Sequence, residues 1–331
     1  MPDDNEIYHS AVLVLPRLRV QNANAISSPM TWGFPSITAF IGLMHALARS
    51  VPADSGLEFR GVGVICHDFE AQVTEDRYTH AFRLTRNPVD KGGRTLAIVQ
   101  EGRIHLDITL VFLVNLAASH WAETERQKLA EKIGNVVADM RIAGGSVLPP
   151  LRGRLRYMPR ARLRLLPDIE SDRRDDFRRM RRSWLPGYAL VARDDLLHAH
   201  LAKLQQADAS ATVLDAWLDL SRRNHRATRT TQVDETTGEI REAIEWVTDR
   251  RDGWTAPIPV GFAGLSELHP AGTVASARDA TTPFRFVESV YSIGQWVSPH
   301  RLTDVNDLLW YGEYDESKAL YRCRNDFSTP N

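Results

Sequence analysis

The sequence predicts an α+β fold. Residues 1–166 read as a ferredoxin-like βαββαβ core with an inserted β-hairpin at 71–102, and residues 167–331 as a helical and mixed extension packed on it. Three observations predict this. Apolar residues alternate in separate strand-like runs and recur at helical spacing in others. These runs follow in the order strand, helix, strand, inserted hairpin, strand, helix, glycine loop and strand, which is that of a βαββαβ unit. Finally, 331 residues with 43% hydrophobic content bury a substantial core, as one large domain or two of ordinary size.

In the first strand, residues 11–20, Val12, Val14 and Pro16 alternate with Leu13 and Leu15, and Arg17 and Arg19 share one side beyond the proline. Pro16 lacks a ladder donor, which puts it at an edge or a bulge. Alternation ends at Val20, and the amides and hydroxyls of Gln21, Asn22, Asn24, Ser27 and Ser28 read as a polar loop reaching Pro35. Asn and Ser bond their own backbone and tolerate left-handed conformations, so such a loop can turn several N–H groups toward phosphate oxygens. Trp32 and Phe34 offer flat faces for base stacking. The same residues also read as a well-capped strand-to-helix connection with both aromatics buried.

Pro35 and Ser36 open a helix of about four turns, with Ile37, Phe40, Ile41, Met44 and Leu47 at helical spacing. Leu57–Val64, continuing toward Cys66, and Arg103–Val114 are the next two core strands. Between them Arg77–Leu84 and Leu96–Val99 return around Asp90, Gly92 and Gly93 as a projecting hairpin. Glu125–Met140 is a second amphipathic helix with Leu129, Ile133, Val136, Val137 and Met140 on one face, ended by Gly144 and Gly145. Neither the first strand nor Ile104–Leu110 carries an aromatic ladder, so ligands are expected at loops and grooves rather than on an open sheet face.

Twelve arginines between Arg152 and Arg182 face five acids, the one strongly basic stretch of a chain whose net charge is −1. It can track a phosphate backbone or form a solvated helix face with locally paired acids. Lysine occurs only at Lys91, Lys128, Lys132, Lys203 and Lys318; arginine, which forks onto phosphate and stacks on bases, supplies the rest. Genomic base composition produces the same bias. Tyr188–Val191 is a strand, and Asp194–Leu204 and Thr212–Leu220 are short helices, the second with Leu214, Trp217 and Leu218 inward. Residues 223–249 form a polar, mobile insertion with a turn or hairpin tip at Asp234–Glu239. Phe284, Phe286, Trp296, Trp310, Tyr311 and Tyr321 return the chain to core or subunit interface.

The near-neutral charge argues against indiscriminate coating of nucleic acid. Cys66 and Cys323 show neither metal spacing nor a disulfide framework, which suits a reducing cytoplasm. No export signal is visible, and the apolar run Leu110–Ala118 is short of the about 20 residues a membrane helix needs. No phosphate-binding GxxxxGK[ST] sequence or Rossmann glycine pattern occurs, and no cofactor, metal or catalytic residue is expected. His198 and His200, at i and i+2, read as a solvated pair. In Met140-Arg141-Ile142-Ala143-Gly144-Gly145-Ser146, the glycines let backbone approach phosphate, Arg141 offers charge and Ser146 a hydroxyl, although a plain helix cap explains the glycines too. Arg301, after Ser298, Pro299 and His300, is a weaker candidate of the same kind.

The stretch Arg17–Pro35 resembles a segment of the Cas-five family, Csy-two type, a RAMP-superfamily subunit of type I-F CRISPR surveillance complexes. The likeness recurs in order at Leu84-Thr85-Arg86-Asn87-Pro88, Met140–Ser146, Leu185-Pro186-Gly187, Pro257-Ile258-Pro259, Pro283–Glu288, Ser298-Pro299-His300-Arg301 and Asp307–Tyr311, and so covers most of the chain. It implies an RNA-recognition-motif-like (RRM-like) core and a non-catalytic subunit that pairs with the large subunit, clamps the 5′ handle of the CRISPR RNA and caps the filament of repeated backbone subunits. Target DNA is then met in the assembled complex, chiefly through guide pairing, and anti-CRISPR proteins are further candidate partners. The expected RNA-binding set is Arg19, Gln21, Asn22, Asn24, Ser27, Ser28, Trp32, Arg141, Gly144, Gly145, Ser146 and Arg301. Sequence readout would come from Gln21, Asn22, Asn24 or Ser28, because phosphate contacts position without specifying. Some RAMP relatives cleave RNA with a histidine near the first helix. The counterpart here, His45, lies between Met44 and Leu47 on or beside the buried stripe, with no lysine or tyrosine nearby in sequence. A repeat-processing endoribonuclease and a protein-only scaffold are the rival readings.

Overall fold

The computed structural model describes residues 8–52, 55–76, 79–86, 89, 92–95, 98–118, 122–149, 160–233, 240–249, 251, 253–277 and 279–327. Strand β1 (Tyr8–Asn24) leads to a small hairpin, β2 (Ile26–Ser28) and β3 (Thr31–Trp32), then helix α1 (Ile37–Ser50) and β4 (Leu57–Ala71). Two short hairpins follow, β5 (Val73–Asp76) with β6 (Thr79–Phe82) and β7 (Leu84–Arg86) with β8 (Ile98–Gln100), before β9 (Arg103–Ala117) and α2 (Glu123–Ala138). Next come β10 (Arg141–Ile142), β11 (Gly145–Leu148), β12 (Arg162–Leu165), α3 (Glu170–Arg182), β13 (Tyr188–Ala192), α4 (Asp194–Ala207) and α5 (Val213–Ser221). A hairpin of β14 (His225–Val233) and β15 (Ile240–Thr248) precedes β16 (Trp254–Gly264), β17 (Val287–Val297), β18 (Trp310–Asp315) and β19 (Leu320–Asn325).

The fold is mixed α and β around one antiparallel sheet of 11 strands, ordered β10-β11-β1-β9-β4-β13-β17-β16-β19-β18, with β12 also paired to β1. Strands from both sides of position 166 therefore share one sheet. Its centre is buried on both faces, which is why β1 and β9 read as nearly continuous apolar runs. On one face Leu13, Leu15, Leu110 and Phe112 meet Phe40, Ile41 and Met44 of α1 and Leu129, Ile133 and Val137 of α2. On the other, Val12, Val14 and Val111 meet Phe177 and Met180 of α3, with Trp184, Leu302 and Leu308. Each such side chain contributes about 1.5–3 kcal/mol when fully buried. Ser36 caps α1, its side chain accepting from the Thr38 N–H, and Thr212 with Asp215 forms a capping box on α5. No helix among the described residues is long and apolar enough to cross a membrane.

Several expectations are corrected. The first strand does not end at Val20. Pairing with β9 resumes at Ala23 opposite Ile104 and Asn24 opposite Arg103, after a bulge in which Asn22 takes φ 57°. The polar stretch is thus strand, then hairpin. Pro16 does lie at a bulge, between Leu15 and Leu18. Helix α2 stops at Ala138 with Asp139 as its cap, so Gly144 and Gly145 do not end it but lie in the hairpin beyond. The single projecting hairpin at 71–102 is a pair of two-stranded ladders. The 223–249 insertion is a ladder from His225 opposite Thr248 to Val233 opposite Ile240, in keeping with the hairpin alternative. Its predicted turn at Asp234–Glu239, and Arg152, Arg154 and Arg156, lie outside the described residues.

Candidate nucleic-acid interface

One edge of the large sheet is a two-residue hairpin. Ala143 and Gly144 take φ 47° and 78°, the successive left-handed conformations of a type I′ turn joining β10 to β11. A non-glycine residue there costs about 1–2 kcal/mol, offset in part by the Asn24 N–H, which donates to the Ala143 carbonyl at 2.8 Å. The hairpin pairs edge to edge with β1, with Arg19 opposite Leu148, Val20 opposite Val147 and Gln21 opposite Ser146. Gly145 makes this approach possible: a Cβ there would stand 2.7 Å from the Ala23 nitrogen and 2.8 Å from the Gln21 carbonyl oxygen.

Because Ser146 also pairs with Arg141, Gln21, Ser146 and Arg141 form a row across three strands, and all three are exposed. The Arg141 guanidinium reaches back to the Gly144 carbonyl at 3.2 Å and the Ser146 hydroxyl at 3.5 Å. Arg19 lies two residues from Gln21 on the same face. The surface continues into a trough of about 270 Å³ lined by Arg19, Gln21, His105, Asp107, Asp68 and Glu70 among others. Its charge is graded, with cations at the hairpin end and carboxylates at the other. The exposed Asn22 sits in the bulge, its N–H bonded to His105 Nδ1 at 3.1 Å.

Other predicted site residues are spent on local structure. The Asn24 amide brackets Ile26, donating to its carbonyl and accepting from its N–H. Ser28 is buried and its hydroxyl accepts the Met30 and Thr31 N–H groups, while Ser27 bonds Thr31. These side chains hold the β2–β3 turn. Trp32, at the turn's exit, is 50% exposed and meets Phe82 edge to face at 5.6 Å. It borders an aromatic cleft of about 350 Å³ with Phe34, Phe69, Tyr188, Trp254 and Trp296. Phe69 and Asp68 line both cleft and trough; Phe69 stands opposite Leu106 and Asp68 opposite Asp107, so the two neighbours face opposite sides of β4. Sequence reasoning missed Phe69, Tyr188 and Trp254 as site residues. Their only signal was apolar character on strands, which core residues share.

Beneath the cleft, His67 Nδ1 donates to the Pro186 carbonyl and Nε2 accepts from Thr109 Oγ1, both at 2.7 Å. Thr109 in turn accepts the Arg17 N–H. Burial lowers the His67 pKa, and with both ring nitrogens engaged it cannot serve as a general base. His45 is exposed on α1, beside the buried stripe of Met44 and Leu47 and not on it. His200 is not one of a solvated pair but bonds Asp219 at 2.7 Å. Among the described residues no group of three or more His, Cys, Asp or Glu could hold a metal. Arg301 stands apart from the hairpin, in a second cleft against α3 that shares no residue with the trough.

A family model described as CRISPR-associated protein (Cas_Csy2) matches residues 13–323. The CRISPR-associated protein Csy2 of Pseudomonas aeruginosa (strain UCBPP-PA14) is 44% identical over 322 residues, 97% of this chain and 95% of that protein.

Proposed function

The chain belongs to the CRISPR-associated Csy2 family, and from that premise we propose that it is a non-catalytic subunit of a type I-F surveillance complex that grips the 5′ handle of the CRISPR RNA. The observation that carries this reading is the exposed row Gln21, Ser146 and Arg141 on a hairpin whose close docking requires Gly145. Phosphate oxygens belong at the cationic end, beside Arg141 and Arg19. Base edges face the other end, where the carboxylates of Asp68 and Glu70 can accept exocyclic amino groups, and a base can stack on Trp32 or Phe69. Asn24, Ser27 and Ser28 shape the site from behind.

On this reading β11, β1, β9 and β4 are the fourth, first, third and second strands of a ferredoxin-like, RRM-like core. Residues 1–166 hold the RNA and 167–331 extend the sheet. The subunit pairs with the large subunit and caps the repeated backbone subunits, with the β5–β8 hairpins reaching a neighbour or folding over the guide. It meets target DNA through guide pairing, in the reducing cytoplasm that the buried free thiols of Cys66 and Cys323 suit. Crosslinking the assembled complex tests this: RNA adducts are expected at Gln21–Trp32 and at Gly144–Ser146. A stable complex whose RNA crosslinks only to other chains overturns it.

A further inference from the structure

A second charged feature lies outside the site above. On α3, Arg174, Arg178 and Arg181 fall at i, i+4 and i+7 and share one face. That helix packs against the 3-10 turn Pro299–Arg301. Between them opens a cleft of about 940 Å³, to which Arg193 and Arg301 also contribute, and its lining contains no aspartate or glutamate. Five guanidinium groups thus converge in a chain of net charge −1.

The arginines divide by role. Arg193 is fixed by two hydrogen bonds to Asp195, at 2.7 and 2.8 Å, and by one to Gln295. Arg181 donates to the Leu302 carbonyl, and burial, with Arg178 and Arg182 beside it, holds its pKa below the usual arginine range. Arg174 and Arg178 pair with Glu170 and Asp175 on the outer surface, but all four side chains are more than half exposed, so these pairs contribute little. Arg301 is exposed at the rim.

We propose that this cleft binds the phosphate backbone of a nucleic-acid duplex, at a site separate from the one that takes the guide's handle. Arg174 and Arg181 are seven residues apart, about 10 Å along the helix axis. Phosphates on one strand of a duplex advance about 3.4 Å per nucleotide, so the row spans roughly three of them, which suits a polymer rather than a single phosphate. A single strand would need exposed rings on which to stack its bases. Two rings line the cleft: Phe327, half-buried with the Arg193 guanidinium 6.0 Å from its centroid, and the small imidazole of His300, exposed and bonded to Ser298 Oγ at 2.8 Å. His300 is a single platform and not the succession of rings a splayed strand needs. A backbone whose bases are turned inward fits; splayed bases do not.

The test uses the full chain and a labelled DNA duplex of about 24 base pairs and mixed sequence, followed by fluorescence anisotropy across a salt series. Arg174→Gln/Arg178→Gln/Arg301→Gln is expected to bind about tenfold more weakly near 0.1 M salt. Its log K against log [salt] slope should be shallower by roughly two to three. The double variant Arg178→Gln/Arg301→Gln, confined to exposed side chains, should fall between, and a thermal melt matching the wild type excludes misfolding. Lys128→Gln, on the exposed face of α2 and in neither site, should leave duplex binding unchanged, and handle-RNA binding by the triple variant, measured alongside, reads the handle proposal separately. No duplex binding by the wild type, an unchanged slope in the triple variant, or equal losses on a single strand of the same length would each overturn the proposal.

Discussion

Ser146 stands directly opposite Gln21 in the ladder between β11 and β1, and this one pairing joins two polar stretches that are far apart in sequence. Everything proposed for the hairpin edge depends on it, and the contact is close enough to test with a single methyl group.

Gly145→Ala places a Cβ against backbone atoms of Ala23 and Gln21 that cannot rotate away. A loss of about 1–3 kcal/mol in denaturant unfolding is expected, with reduced recovery of RNA. Gly144→Ala meets nothing within 4 Å and suffers only the cost of φ 78°, roughly 1 kcal/mol. Equal, small effects at both positions would mean that the hairpin does not need its close seat.

Arg141→Gln removes a charge and should weaken handle RNA binding for every sequence alike, lowering the salt slope by about 0.7. Gln21→Ala should instead reduce discrimination between the native handle and one with altered bases. Asn22→Gly is the cleaner change in the bulge, because glycine keeps the φ of 57° that alanine would strain. Filter binding over a panel of handle variants separates the two kinds of loss.

Trp32→Ala should cost about 1–3 kcal/mol of RNA binding if a base stacks there, and Trp32→Phe should restore most of it. RNA binding by Trp32→Ala as tight as the wild type's would assign the aromatic cleft to a protein contact.

His67 carries a predictable pH dependence. Burial holds its folded pKa below the usual value of 6.5, so the unfolded chain takes up a proton first as pH falls. Its contribution is fully present above about 6.5 and lost as pH drops from there toward the folded pKa, at no more than about 1.4 kcal/mol per pH unit. Unfolding free energies between about pH 5 and 7 should show this slope, and His67→Gln should flatten it. The same slope in the variant would assign the proton elsewhere.

Burial pushes the Cys66 and Cys323 thiols up to about 12. Neither should react with a disulfide reagent near pH 8 in the folded chain, and both should react once denaturant is added. Rapid labelling of the native protein would show that one of these strands opens readily.

Helix α1 was legible because Ile37, Phe40, Ile41, Met44 and Leu47 repeat a local spacing, and β1 because Val12 and Leu13 face opposite layers, both buried. The glycine motif was legible as a place of close backbone approach, but not as a hairpin. Its turn residues also suit a helix cap, and only the neighbouring strand distinguishes the two. The run from Gln21 to Asn24 looked like a loop because three of its four side chains are amides. Strand pairing, however, uses backbone groups, and β9 supplies the partners whatever the side chains are.

Spacing along the chain thus determined helices α1, α2, α4 and α5, the strand runs of β1, β4, β9 and β13, and the polar and basic stretches, each set by residues within a few positions of one another. The tertiary structure alone decided that both faces of the central sheet are covered, that the glycine hairpin lies against Gln21, and that Arg301 joins the arginines of α3. These are long-range pairings, selected by burial and backbone hydrogen bonding between segments whose own sequences do not name their partners.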